Sequence, residues 1–343
     1  MVRYSQAEKM EIIRLVEGSN LSIKRTLNEL DVPRSSFYRW YRAYELAGFQ
    51  GLKPKPSQRR RFWNRIPDEE RERVVEVAID KPELSPRQLA WHITDTEGWF
   101  ISESSVYRIL KSYDLVTSPN YIVISAADEF RHKTRRVHEL WQTDFTWLKV
   151  TCWGWYFLST ILDDYSRYII SWRLSTTMAA DDVKQTLDLA LEKAGVTQVR
   201  VRYRPRLLSD NGPAYVSKEL REYLTQKDIL HTRGQPYHPQ TQGKIERYHR
   251  TLKNLVTLQN YYAPWELEQE IGRFVRWYNT ERYHESLDNL TPEDVYRGRD
   301  REIFTARELL KMQTLERRKR WNLGMEVSNE PVIRPAELRE SVC

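Results

Sequence analysis

Apolar residues near the start of the chain recur at helical spacing in three short blocks. The first runs from Ser5 to Glu17, with Met10, Ile13 and Val16 at i, i+3 and i+6; the others are Ser22 to Leu30 and Arg34 to Ala47. Gly18-Ser19-Asn20 and Asp31-Val32-Pro33 separate them, and Pro33 suits the entry to the third block. A second set of three follows at Asp68 to Ile79, Ser85 to Thr94 and Ser102 to Tyr113, with Ser85 and Ser102 placed as N-caps and a turn expected over Thr94 to Gly98. After Asp128 the period changes. Glu139 to Val150, Trp155 to Leu162 and Arg167 to Leu174 are rich in β-branched and aromatic residues and are broken at Cys152-Trp153-Gly154 and Asp163 to Ser166, which predicts a three-strand antiparallel meander. A helix from Met178 to Lys193, a strand Arg206 to Ser209, a helix Ser217 to Lys227, a strand Ile229 to Thr232 and a helix starting near Thr241 complete the order β-β-β-α-β-α-β-α.

The pattern predicts a multidomain chain in which all-α helix-turn-helix domains precede a mixed α/β core and a helical C-terminal region. The expected divisions are a helix-turn-helix domain at 1–50, a basic linker at 51–66, a second helix-turn-helix-like domain at 67–116 and another basic linker at 117–136. The core follows at 137–260, a helical extension at 261–300, and a basic amphipathic helix with a mobile tail at 301–343. In the third block, Arg34, Ser35, Ser36, Tyr38 and Arg39 mix phosphate-binding and base-reaching side chains, as a recognition helix requires, although any three-helix bundle shares the rhythm.

Charge sharpens this picture. With 55 Lys plus Arg against 48 Asp plus Glu in 343 residues, the net charge is +7, which favours anionic partners. The excess is uneven: Lys53, Lys55, Arg59, Arg60, Arg61 and Arg65 fill an acid-free linker, and further clusters stand at Arg131 to Arg136, around Glu246 and at Arg317 to Arg320. The linker reads either as a DNA-tracking segment or as a solvated spacer. No apolar run is long enough to cross a bilayer and the first residues lack a signal-peptide pattern, so a cytoplasmic, nucleoid-associated protein is expected. Two cysteines, Cys152 and Cys343, make neither a disulfide framework nor a zinc site.

Three acids occupy informative positions. Asp144 lies inside a strand, where an unpaired charge is costly; Asp210 opens Asp210-Asn211-Gly212 at the carboxyl end of another strand; and Glu246 sits early on the helix after His238-Pro239-Gln240. Singly, each has a plain structural role open to it: an ion pair, a turn cap, a surface charge. Together they offer only oxygen donors, which suit Mg²⁺ or Mn²⁺ rather than zinc.

The strings Trp141-Gln142-Thr143-Asp144, Ser209-Asp210-Asn211-Gly212 and His238 to Arg247, with 35 residues between Asp210 and Glu246, resemble the D,D(35)E signature of retroviral-integrase-type transposases. The resemblance covers roughly Val137 to Gly298, and the segment before it resembles the end-binding part of bacterial insertion-sequence transposases. It implies an RNase H-like core, with Asp144, Asp210 and Glu246 as catalytic residues and as ligands of two Mg²⁺ ions, Mn²⁺ substituting. It further implies metal-dependent 3′-end cleavage and strand transfer on double-stranded DNA at terminal inverted repeats, by a homo-oligomer of at least two chains. Gln240, Gly243, Lys244, Arg247, Lys253 and Arg282 join the expected DNA contacts; Lys253, two turns after Glu246, shares its helix face. In Arg276 to His284, Trp277 and Tyr278 are expected to pack, and Asn279, Arg282 and His284 to touch DNA or brace the site. Two rival readings are a regulator that binds DNA without cutting it and an RNase H-type nuclease.

Overall fold

A computed structural model describes residues 4–19, 21–53, 62–115, 134–196, 204–233, 243–326 and 334–340. The chain divides into two units, Met1–Phe62 and Trp63–Cys343. In the first, α1 (Gln6–Gly18), α2 (Ile23–Glu29) and α3 (Arg34–Gly51) enclose Ile12, Ile13, Val16, Leu27, Val32, Phe37 and Leu52. Ser5 caps α1 through the Glu8 amide while the Glu8 carboxylate accepts from the Ser5 amide, so two otherwise orphaned donors are satisfied. α3 breaks at Ala47-Gly48, where the expected helix ends; Gly48 takes φ 58°, and one further turn carries the chain to Gly51.

In the second unit, α4 (Asp68–Asp80), α5 (Pro86–Thr96) and α6 (Glu103–Ser112) form a trio around Val74, Leu89, Ile93 and Val106. Ser85 and Ser102 cap α5 and α6 as the sequence predicts. The expected turn at Thr94 starts instead at Glu97. Thr94 and Thr96 return their hydroxyls to the Ala90 and His92 carbonyls, and Asp95 is buried inside the helix against arginines from far along the chain.

The sheet has the order β3-β2-β1-β4-β5, built from β1 (Leu140–Val150), β2 (Gly154–Asp163), β3 (Ile169–Ser175), β4 (Arg206–Ser209) and β5 (His231–Arg233). β1, β2 and β3 form the antiparallel meander, while β4 and β5 add in parallel. With the all-α segment in front and helices behind, this is the mixed five-stranded, RNase H-like core. α7 (Ala180–Lys193) and α9 (Lys218–Gln226) cover one face through Trp141, Ile161, Val183, Leu187, Leu207 and Leu220. A short α8 (Pro213–Val216), absent from the sequence expectation, brings Tyr215 into the same core. On the other face, α10 (Gly243–Val256) and α11 (Pro264–Thr280) pack Ile245, Tyr248, Leu252 and Ile271 against Leu148, Val150, Leu158 and Leu162.

The two parallel strands at the centre of the sheet differ sharply in length. β1 has 11 residues and β4 has four, and they pair only from Leu140–Arg206 to Gln142–Leu208. Beyond Gln142, β1 therefore overhangs its parallel neighbour with that edge bare.

After a single 3-10 turn, Glu285–Leu287, come α12 (Pro292–Tyr296), α13 (Asp300–Leu323) and α14 (Glu337–Glu340). α13 covers the expected helix at the start of 301–343. Its packed stripe is Ile303, Ala306, Arg307, Leu310, Thr314 and Arg318, whereas Leu309 and Met312 are exposed. It docks on the α4–α6 trio: Arg317 and Arg318 pair with Glu70, and Thr314 Oγ1 accepts from the Phe100 amide at 2.9 Å. Residues 334–340 likewise depart from the expected mobile tail, because Arg339 donates to both Asp95 and Asp294 at 2.9 Å. Among the described residues no helix is long and apolar enough to cross a membrane.

Candidate active site

The β1 overhang is one wall of a pocket of about 630 Å³, and Asp144, Asp210 and Glu246 all line it. Each arrives by a different route. Asp144 stands two residues past the last β1–β4 pair, and Asp210 follows directly on the end of β4. Glu246 lies in the first turn of α10, the helix packed across β1.

Asp144 Oδ1 accepts from the Phe145 amide at 2.8 Å, and Oδ2 lies 3.4 Å from His249 Nδ1. Asp210 Oδ1 accepts from the Gly212 amide at 2.9 Å, which fixes the turn. Among the described residues, Asp210 Oδ2 and both Glu246 oxygens have no hydrogen-bond donor. Burial pushes the Asp210 carboxyl above its ordinary pKa; the Gly212 amide opposes the rise and the Asp144 charge adds to it. Tyr215, fully buried on the pocket wall, is raised well above its usual value by burial and then by the Asp144 charge.

The donor set, carboxylates only, fits a hard divalent cation, and the strain between the two aspartates is of the kind that such a cation relieves. The described side chains do not form a closed cage: no three metal-ligating groups converge on one point. Three like charges facing one pocket repel, which favours this open spacing.

Several pocket residues were not singled out from sequence: Phe145, Trp147, Met178, Tyr215, His249, Arg250 and Asn254. His249 was legible in principle, since it follows Glu246 at i+3 and shares its helix face. It is buried, and its Nε2 has no hydrogen-bond partner. Trp147 is half exposed, and Lys253 Nζ lies 4.5 Å from its ring centroid.

The expected DNA contacts fall into three groups. Arg34, Ser35, Tyr38, Arg39 and Lys53 in the first unit are exposed, with Ser36 partly so; Arg247 is exposed on α10, and Lys253 lines the pocket. Lys55, Arg59, Arg60, Arg61 and Gln240 lie outside the described residues, as do Arg131 and Lys133 of the second linker.

The remaining residues, with Arg317 and Arg318 of the C-terminal basic cluster, make their contacts within the chain. Lys244 is turned inward: its ammonium bonds the Asp164 carboxylate at 2.6 Å and the Asp164 carbonyl at 2.8 Å, so its charge is spent on the turn after β2. Arg282 is tucked against Trp277 and Tyr278, with one terminal nitrogen buried. Arg317 and Arg318 are tied to Glu70. Gly243 begins α10 and is partly buried. Of the three residues expected to brace the site or to touch DNA, Asn279 bonds within the fold: its amide both donates to and accepts from the Ile169 backbone. His284 is buried beside Tyr278, and burial followed by the Arg282 and Arg167 charges holds its pKa at about 3.

Residues 134–239 match the family described as "Integrase core domain", and residues 227–292 match a second family of the same description. Residues 8–61 match "Helix-turn-helix domain" and residues 36–110 "Homeodomain-like domain". Among curated proteins, an intracisternal A-particle Pol-related polyprotein of mouse is 51% identical over 57 residues, 16% of this chain and 7% of that protein. The koala retrovirus Gag-Pol polyprotein is 26% identical over 209 residues, 60% of this chain and 11% of that protein. The chain thus spans only a small part of these relatives' length. Among solved structures, the catalytic core of HTLV-2 integrase in complex with magnesium aligns with 47% of this chain and 97% of its own, at 21% identity and a TM-score of 0.37. A simian T-cell lymphotropic virus intasome, solved with a PP2A regulatory subunit, aligns with 65% of this chain and 74% of its own, at 20% identity and a TM-score of 0.42.

Proposed function

We propose that this chain, which carries an integrase core of the DDE integrase and transposase superfamily behind helix-turn-helix segments, is a DNA transposase of a bacterial insertion sequence. It binds the terminal inverted repeats of its element and catalyses 3′-end cleavage and strand transfer. The observation that carries the reading is that Asp144, Asp210 and Glu246, drawn from three elements far apart in sequence, line one pocket where β1 outruns β4.

In this reading those three carboxylates hold Mg²⁺, most simply two ions, and Mn²⁺ substitutes. Such ions would supply Lewis-acid activation of water or of a 3′-hydroxyl for in-line attack and stabilisation of the leaving oxygen. The chain's own groups do the rest. Gly212 fixes Asp210 and His249 braces Asp144, so the carboxylates present set oxygens to the pocket. Lys253 and Arg250 at the rim carry positive charge to the scissile phosphate. Phe145 and Tyr215 close the apolar side and limit water.

Residues 1–50 and 67–116 read the ends, with Arg34, Ser35, Ser36, Tyr38 and Arg39 on the recognition face, while Lys53 and the basic residues after it follow the phosphate backbone. Two ends joined in one event call for at least a dimer, working in the cytoplasm at the nucleoid. The test uses duplexes carrying the inverted repeats that flank the coding sequence. Asp144→Asn, Asp210→Asn and Glu246→Gln each abolish Mg²⁺-dependent nicking and joining while retaining end binding in a gel-shift assay. Substantial joining by any of the three overturns the assignment. Cleavage of an RNA–DNA hybrid without end specificity replaces it with a nuclease, and end binding by wild type without cutting replaces it with a regulator.

A further inference from the structure

The pocket is richer than phosphoryl transfer requires. Carboxylates and nearby cations account for a phosphodiester and its metal, yet Phe145, Trp147, Met178 and Tyr215 line the same cavity. Phe145 and Trp147 follow Asp144 along the β1 overhang, and Trp147 is 54% exposed although it belongs to the central strand of the sheet. The flat, weakly polar moiety that a nucleotide carries beside its phosphate, joined to it through the deoxyribose, is the nucleobase. Lys253 Nζ rests 4.5 Å from the Trp147 ring centroid, so a phosphate-seeking cation and an aromatic plane are offered side by side, as the two halves of one nucleotide need. Asn254, the next residue on α10, brings an amide able to read a base edge to the same wall. The cavity, about 630 Å³, is in the range that encloses a small organic ligand.

We propose that Trp147, with Lys253 and Asn254, forms a subsite for one unpaired nucleobase close to the phosphate that is cut, so that the DNA end is held by a stacked base as well as by its backbone. The proposal rests on the reading of the pocket as a strand-transfer centre. Trp147 lies three steps along the β-strand from Asp144, roughly 10 Å, which puts the stacked base within the first few nucleotides of the cut. Lys149 and Trp155 pair across the β1–β2 ladder on the same side of the sheet as Trp147, and Trp155 is also half exposed, which extends the platform toward the next nucleotide.

The experiment uses the full chain without divalent metal, so that no cutting occurs, and a forked duplex ending in four unpaired 3′ nucleotides. 2-Aminopurine is placed at each unpaired position in turn. Wild type quenches the fluorescence at one position, and an abasic nucleotide there weakens binding about five- to hundredfold. In Trp147→Leu both effects disappear at that position, in Trp147→Phe they are partly kept, and in Asp144→Asn they persist. Circular dichroism serves as the check on folding, and an unfolded Trp147→Leu leaves the Phe variant and the abasic series to decide. The proposal is overturned if no position is quenched, if quenching or the abasic penalty is the same in Trp147→Leu as in wild type, or if Trp147→Leu loses affinity equally for intact and abasic ends. Base contact without metal-dependent cutting would remove the strand-transfer reading and leave the subsite; cutting without base contact would do the reverse.

Discussion

Two groups of acids in the second unit look alike in sequence and differ in every physical respect. Asp95 and Asp294 are buried and saturated. Asp95 receives a two-pronged guanidinium from Arg307, both bonds 2.8 Å, together with Arg339 at 2.9 Å and the Tyr283 hydroxyl at 3.1 Å. The Asp294 carboxylate receives Arg339 and the Thr291 amide, and the Asp294 amide donates to Thr291 Oγ1. Asp144, Asp210 and Glu246 line an open pocket, and the close contacts of the two aspartates are backbone amides and one histidine. Acids that hold a fold together are matched by arginines in two-pronged geometry; the acids of the pocket face one another without such arginines among the described residues, and burial followed by the Asp144 charge raises the Asp210 carboxyl.

Each side of that contrast can be pushed until it fails. The largest effect belongs to the pocket: Asp144→Asn is expected to lower the rate of joining by at least two to three orders of magnitude while the melting temperature stays level or rises, since one of two repelling charges is gone. A variant that loses activity and stability together would put Asp144 with the structural acids. Next comes Arg307→Ala, which takes one of its two arginines from the buried Asp95 carboxylate and should cost about 3 kcal/mol, on the order of 10 °C in melting temperature; a loss under about 1 kcal/mol would show that the network is not load-sharing as drawn.

pH separates the two regions by sign. His284 follows Tyr283 in sequence and, with a folded pKa near 3 against an ordinary value of 6.5, must stay neutral in the fold. Its contribution is complete above pH 6.5 and is lost as pH falls toward 3, about 2–3 kcal/mol by pH 4.5; His284→Gln should flatten that part of the stability profile. Asp210 moves the other way. Its folded pKa is raised, so its charge opposes folding at neutral pH, and protonation on acidification relieves that cost. A smaller gain on acidification in wild type than in Asp210→Asn would contradict it. The mildest test is magnesium itself: at a hundred times its dissociation constant it should add about 2.7 kcal/mol to unfolding stability in wild type and far less in Asp144→Asn. Equal stabilisation of both would place the ion elsewhere.

Most elements were legible because their signals are local. Runs of β-branched and aromatic residues between turns marked the meander, and Ser85 and Ser102 marked their helix starts within a residue. The pocket acids were visible because each broke a local rule: a charge inside a strand, an Asn-Gly turn closing a strand, an acid among basic residues on a helix. What escaped reading depends on partners remote in sequence. Nothing around Arg318 says that Glu70 awaits it 248 residues earlier, so the basic run at Arg317 to Arg320 read as free charge. Lys244 looked like a phosphate ligand until the turn holding Asp164 was folded beside it. Trp147 read as an ordinary strand residue because its exposure follows from β4 being short, a property of another strand.

The bond between Asp95 and Arg339 spans 244 residues. On a ribosome adding about 5 to 20 residues per second, the carboxylate is made roughly 10 to 50 seconds before its second arginine. Through that interval α5 carries an acid that burial would penalise, so α4–α6 must wait in a looser, water-accessible form. The final closure of the second unit is therefore a late, long-range event in the life of the nascent chain.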